Sequence, residues 1–154
     1  MREKIKEQIL ASASMKEAMV DGCMDDIVSA ATVMIECIQK GGKILWCGNG
    51  GSAGDAQHLA TELMGGMTSH ERKPIPSIAL TTDSSFLTAW SNDTDFESVF
   101  SRQVQGLGKK GDVLVGISTS GNSENVIAAI KQAKFKGLKT VVFTGISGGR
   151  MNGL

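Results

Sequence analysis

The strongest constraint on this chain is an alternation of two kinds of segment. Short apolar runs, "KILWCG" (43–48), "PSIAL" (76–80), "GDVLVGIS" (111–118) and "KTVVFTG" (139–145), are separated by longer stretches with helical spacing. Apolar runs this short, bounded by glycine or proline, read as buried strands. The intervening segments 52–64, 83–91, 95–108 ("DFESVFSRQVQGLG") and 122–137 ("NSENVIAAIKQAKFKG") read as helices. Strands joined through helices build a parallel sheet covered on both faces, so the expected fold is a three-layer α/β domain. Two further helices, 3–20 and 24–40, precede it, with Ile5, Ile9, Leu10 and Ala13, then Ile27, Ala31, Met34, Ile35 and Ile38 at helical spacing. Gly41-Gly42 stops the second. These helices are free to pack on the α/β unit or on another subunit.

Composition narrows the function. The 154 residues suffice for one domain, and 41% hydrophobic content supports a single core. Sixteen basic residues balance sixteen acidic ones. Nucleic-acid and membrane-surface binders depend on excess positive charge, so neither is expected. No apolar run approaches the roughly 20 residues of a membrane span. The opening "MREKIKEQILASASMKEAM" lacks the apolar core of a signal peptide, which points to a cytoplasmic protein. Cys23, Cys37 and Cys47 form no CxxC and read as reduced packing residues.

The 19 glycines cluster between the periodic segments. Two loops at strand carboxyl ends are rich in small hydrogen-bonding residues: "GNGGS" (48–52) and "STSGNS" (118–123). Both lead into a helix N-terminus, where free N–H groups and the helix dipole attract anions. Neither supplies a lysine or arginine, which suits a sugar phosphate better than a nucleoside triphosphate. "GNGGSAG" lacks the dinucleotide spacing G-x-G-x-x-G, and no G-x-x-x-x-G-K-[ST] occurs. Each loop alone is equally readable as a tight strand-to-helix turn; the pairing of two favours a ligand cradle.

His58 and Glu62 stand four residues apart, on one helix face. That spacing pairs a base with its tuner or offers part of a metal site, but most often marks a solvated or capping pair. Location strengthens the pair, because its helix begins at the first glycine loop. Ser52 is the expected N-cap, Asp55 is expected in the first turn, and His70 reads as a surface residue. Asn92 and Asp93, in "SNDTDF", read either as a capping turn or as groups for sugar hydroxyls. Met64, Met67 and Trp90 read as packing residues.

Together, "CGNGGSAGDAQHLATEL", "PIPSIALTTDSSFLTAWSND", "FSRQV" and "GDVLVGISTSGNSENVIAAIKQAKFKGLKTVVFTG" resemble the sugar isomerase (SIS) domain family, and within it the phosphoheptose isomerases. The resemblance runs from about residue 3 to the last residue. It implies a flavodoxin-like SIS fold, one domain over 1–154 with N-terminal helices 1–41 and an α/β core 42–154. It also implies a cytoplasmic homotetramer with active sites at subunit contacts. The implied reaction converts sedoheptulose 7-phosphate to D-glycero-D-manno-heptose 7-phosphate for lipopolysaccharide or capsule. Carried over by motif, Ser118, Thr119, Ser120 and Ser123 bind the phosphate. Asn49, Gly50, Gly51 and Ser52, with Asn92 and Asp93, line the sugar site. Glu62 is the base, and His58 and Glu62 are two ligands of a zinc ion, Zn(2+), one per subunit. The family's second acid/base histidine and a metal-binding glutamine lie on a C-terminal helix that this sequence does not reach, so the zinc site is expected to be incomplete. "GGM" (65–67) stands where the family usually has "GRF", which removes a substrate-holding arginine, with Arg72 nearby. A non-catalytic SIS module, binding a sugar phosphate or a replication initiator, is the alternative, and a different sugar-phosphate or amino-sugar enzyme is a third.

Overall fold

In the computed structural model, which describes residues 1–154, four parallel strands run side by side. They are β1 (Ile44–Gly48), β2 (Ser77–Ala79), β3 (Val113–Ser118) and β4 (Lys139–Thr144), in the order β2-β1-β3-β4. Ile44 pairs with Ser77 on one side and with Val113 on the other, and Val113 pairs with Lys139. β1 and β3 are buried along their whole length, which explains their unbroken apolar character. β4, at the edge, is largely exposed.

The chain divides into two compact units, Met1–Val33 and Met34–Leu154. The first holds α1 (Arg2–Gly22) and most of α2 (Met24–Gln39). No residue of α1 is buried, and Ile5, Ile9 and Leu10 are 54%, 64% and 58% exposed. The second unit begins within α2, where Cys37 is buried and its Sγ donates to the Lys43 carbonyl at 3.4 Å.

Within the α/β unit the remaining helices are α3 (Gly51–Gly65), α4 (Ser84–Asp93), α5 (Val99–Leu107) and α6 (Glu124–Phe135). Right-handed crossovers in this strand order put α3 on one face and α4 to α6 on the other. Packing agrees. A Cβ on Gly48 would lie 2.7 Å from the Ser52 carbonyl at the start of α3, whereas one on Gly116 would lie 2.7 Å from Val126 Cγ1 of α6. Alternation along the strands then sends Leu45, Cys47 and Leu114 into the core with Val99, Phe100, Val104, Val126 and Ile130. Ile44 and Trp46 face α3, and Trp46 Nε1 donates to Ser77 Oγ at 2.8 Å.

Several expectations are corrected. Ser52 is not the N-cap of α3: Gly50 is, at φ 56°, and Ser52 lies inside the first turn. No acidic residue falls in that first turn, so Asp55 comes one step too late. α5 starts at Val99 rather than 95, because Asp95 Oδ1 accepts from the Ser98 amide at 2.6 Å and turns the chain there. Met64 and Met67 are 45% and 70% exposed, and Cys23 is exposed, so these are not packing residues. Trp90 does pack against the core, stacked on Phe86 at 5.9 Å with the Arg102 guanidinium over its ring.

The amino ends of the strands are held by charge. Asp112, almost wholly buried, accepts from Lys43 Nζ at 2.5 Å, from the Lys43 amide at 3.0 Å and from the Lys109 amide at 2.8 Å. Burial pushes its carboxyl up, but these donors outweigh burial and hold it below the ordinary carboxylate value.

Candidate active site

At the carboxyl ends of β1 and β3 the two glycine loops stand side by side, because their strands are neighbours in register from Ile44–Val113 to Gly48–Ile117. After β1, Asn49 is half-buried and Gly50 and Gly51 are exposed. Gly50 needs its positive φ for the chain to enter α3. The Ser52 amide donates to the Asn49 carbonyl at 3.0 Å, which closes the turn.

After β3, Ser118 is buried while Thr119 and Ser120 are exposed. Ser118 Oγ and Ser123 Oγ share a hydrogen bond of 2.9 Å, and the Asn122 amide donates to Ser120 Oγ at 3.2 Å. The loop therefore curls around its own hydroxyls, ahead of the first turn of α6 with Ser123 as N-cap. The segment after β4 lies across it like a strap. The Gly145 amide donates to the Thr119 carbonyl, Met151 to Gly121 and Arg150 to Asn122 Oδ1, each within 3.0 Å. Gly121 (φ 65°) is pressed so closely against Gly148 and Gly149 that a Cβ there would overlap their backbone. Arg150 also pairs with Glu124 on α6. A cation thus does border this loop, brought from a distant part of the sequence.

On α3, His58 Nε2 lies 3.4 Å from Glu62 Oε1. The imidazole is 69% exposed and the carboxylate 29%. Glu62 is thus half-buried while its partner stays open. The turn after Glu62 is closed by Arg72, whose Nη2 donates to the Glu62 carbonyl at 2.6 Å and Nη1 to the Lys73 carbonyl at 3.0 Å. That guanidinium serves the carbonyl end of α3. His70 is on the surface, with Nδ1 3.3 Å from the Gly65 carbonyl.

Asn92 and Asp93 end α4, exposed, and Asn92 Nδ2 donates to Asp93 Oδ1 at 2.8 Å. Their bond is to each other rather than to a glycine loop or to Glu62. At the other end of α4, Asp83 is the N-cap, its Oδ1 accepting from the Phe86 amide at 2.9 Å. Sequence reasoning also missed Asn125, buried at the start of α6. Its amide exchanges two hydrogen bonds with that of Asn49, at 2.8 and 2.9 Å, and ties the two loops together.

Known proteins resemble the chain over almost its whole length. The family described as SIS domain matches residues 9–145. A phosphoheptose isomerase of Aquifex aeolicus is 50% identical over 151 residues, 98% of this chain and 78% of its own. The chain belongs to the phosphoheptose isomerase family of SIS-domain proteins. The family's enzyme from Maridesulfovibrio salexigens is 51% identical over 149 residues, 97% of this chain and 72% of its own. Among solved structures, the family member GmhA from Neisseria gonorrhoeae superposes with a TM-score of 0.92 at 44% identity, covering 99% of this chain and 79% of that one. A Francisella tularensis member gives 0.93 at 38% identity, covering 97% and 78%. Both therefore share the fold of this chain over almost its whole length.

Proposed function

We propose that this chain is a sugar-phosphate isomerase that interconverts sedoheptulose 7-phosphate and D-glycero-D-manno-heptose 7-phosphate in heptose biosynthesis. The observation that carries this reading is Glu62, a shielded carboxylate beside an exposed imidazole on the helix that leaves the first glycine loop. A ketose becomes an aldose when a proton moves between C1 and C2 through an enediol. One carboxylate can take the proton from one carbon and return it to the other. Glu62 has that role.

The phosphate is assigned to Ser118, Thr119, Ser120 and Ser123, whose hydroxyls and adjoining helix amides present donors to an anion. It anchors the substrate and contributes orientation rather than reactivity. Asn49, Gly50, Gly51 and Ser52 are assigned to the sugar, and Asn92 and Asp93 to its hydroxyls. His58 and Glu62 are the two donors this chain offers to a zinc ion. Nowhere in the chain do three or more His, Cys, Asp or Glu side chains gather as a metal group, and two donors fall short of the three protein ligands a catalytic zinc takes. No step is therefore routed through the metal. We assign the whole of 1–154 to one SIS domain, cytoplasmic and homotetrameric, with lipopolysaccharide or capsule heptose as its end use. The exposed apolar residues of α1 support an oligomer. No helix is long and apolar enough to cross a membrane.

The test is an isomerisation assay on sedoheptulose 7-phosphate with wild type beside Glu62→Gln. Loss of a general base costs about 10²–10⁴-fold in rate. Unchanged turnover in the variant removes Glu62 from the reaction. Binding of heptose phosphate without turnover by the wild type favours the non-catalytic module.

A further inference from the structure

We propose that Asn125 is a positioning residue of the isomerase site, acting through Asn49 to set the spacing between the sugar loop and the phosphate loop. The inference rests on the isomerase reading for its kinetic consequences but not for its structural ones.

Asn125 is 4% exposed. Asn125 Oδ1 accepts from Asn49 Nδ2 at 2.8 Å and from the Val126 amide at 3.0 Å, while Asn125 Nδ2 donates to Asn49 Oδ1 at 2.9 Å. The two side chains thus form a closed amide pair, each giving one hydrogen and taking one. Asn49 follows β1 and leads into α3, the helix of His58 and Glu62. Asn125 is the second residue of α6, directly after the serine-rich loop that follows β3. Strand pairing fixes the strands but ends at Gly48 and Ile117, before either loop. Beyond that point the amide pair is the side-chain link from one loop to the other.

An amide has two hydrogens and two acceptor sites. The pair therefore leaves Asn49 one hydrogen and one lone pair for substrate, aimed in the direction Asn125 dictates. A substrate held at both ends reads the distance between the loops; a free phosphate reads only one of them. That difference separates positioning from general structural support. The serine loop has its own closures, Ser118 with Ser123 and the strap on Thr119 and Gly121, which do not pass through Asn125.

The experiment compares Asn125→Ala, Asn49→Ala and the double variant with wild type. Losing a buried hydrogen-bond partner corresponds to about a tenfold change. KM for sedoheptulose 7-phosphate is expected to rise about that much in Asn125→Ala, with inorganic phosphate still inhibiting within about twofold of the wild-type constant. Because the two residues act as one unit, the double variant is expected to cost no more than the worse single one. Multiplying costs, or a phosphate constant that weakens in step with KM, overturns the proposal. Should wild type fail to turn over this sugar, the isomerase reading fails by itself, and hydrogen exchange then decides the tie. The amides of Ser52 and Ala53 are expected to exchange about tenfold faster in Asn125→Ala, and unchanged protection refutes it. If Asn125→Ala does not fold, Asn125→Asp, which keeps the acceptor for the Val126 amide but cannot donate to Asn49 Oδ1, carries the same comparison.

Discussion

Replacing Gly121 by alanine tests whether the strap over the serine loop is a packed element. The perturbation has two parts. At φ 65° an alanine pays about 1–2 kcal/mol for the left-handed backbone. Its Cβ would also overlap the carbonyl of Gly148, and backbone cannot rotate away as a side-chain tip can. The strap must lift, which puts at risk the bonds from Gly145 to Thr119 and from Met151 to Gly121. Two such bonds are worth about 1–3 kcal/mol together. Met151, 2% exposed in the core, would be partly uncovered as well. The expected loss is about 2–5 kcal/mol. Gly111→Ala is the control: φ is 93°, yet nothing lies within 4 Å of the added carbon. It should lose only the backbone part, about 1–2 kcal/mol. Urea unfolding at one fixed protein concentration measures both, since any oligomer makes stability concentration-dependent. Equal losses in the two variants would refute the reasoning, because the close approach of the strap would then carry no energy.

Asp112→Asn should cost roughly 3 kcal/mol at neutral pH, since it leaves the Lys43 ammonium without its buried counter-charge. The folded pKa of Asp112 lies below its unfolded value, so the unfolded chain takes up the proton first; the stability gap between wild type and this variant is full above about pH 4 and closes as pH falls through the folded pKa. Unfolding measured from pH 7 down to acid checks the sign, and a gap that widens in acid contradicts it. Burial pushes the Cys47 thiol up to about 12, so brief treatment with iodoacetamide at pH 8 should label exposed Cys23 and spare Cys47, as read by peptide mass spectrometry. Gly116→Ala should displace α6, with a loss of about 1–3 kcal/mol, because its Cβ would meet Val126 at 2.7 Å.

The strands were legible because each is a short apolar run between glycines or prolines, and for buried β1 and β3 that run is all the sheet requires. The glycine loops and the His58–Glu62 pair were legible because their spacing is local. What escaped has a common cause. Asn49 and Asn125 are 76 residues apart, and neither carries a local mark of the other. Arg150 reaches the serine loop only because β4 returns the chain beside β3. The late start of α5 turned on a single side chain, Asp95, winning the Ser98 amide. Ser52 looked like a cap by residue type, but a glycine able to adopt positive φ took that place. The exposure of Met64 and Met67 reflects a face of α3 that helical periodicity alone could not assign to core or surface.

The Lys43–Asp112 clamp has a practical consequence. Parallel strands give the sheet two unlike poles, and the clamp occupies the one where strands begin, while both glycine loops occupy the one where they end. A random library of this chain should therefore sort by pole. Variants near residues 43, 109 and 112 should change how much protein survives heating while leaving the turnover of each surviving molecule alone. Variants near 49–52 and 118–125 should alter turnover, and those that break a packed contact, such as Gly121→Ala, should lower stability as well. Stabilising the protein for use at the bench is best begun at the charged pole, where substitutions and chemistry do not compete for the same atoms.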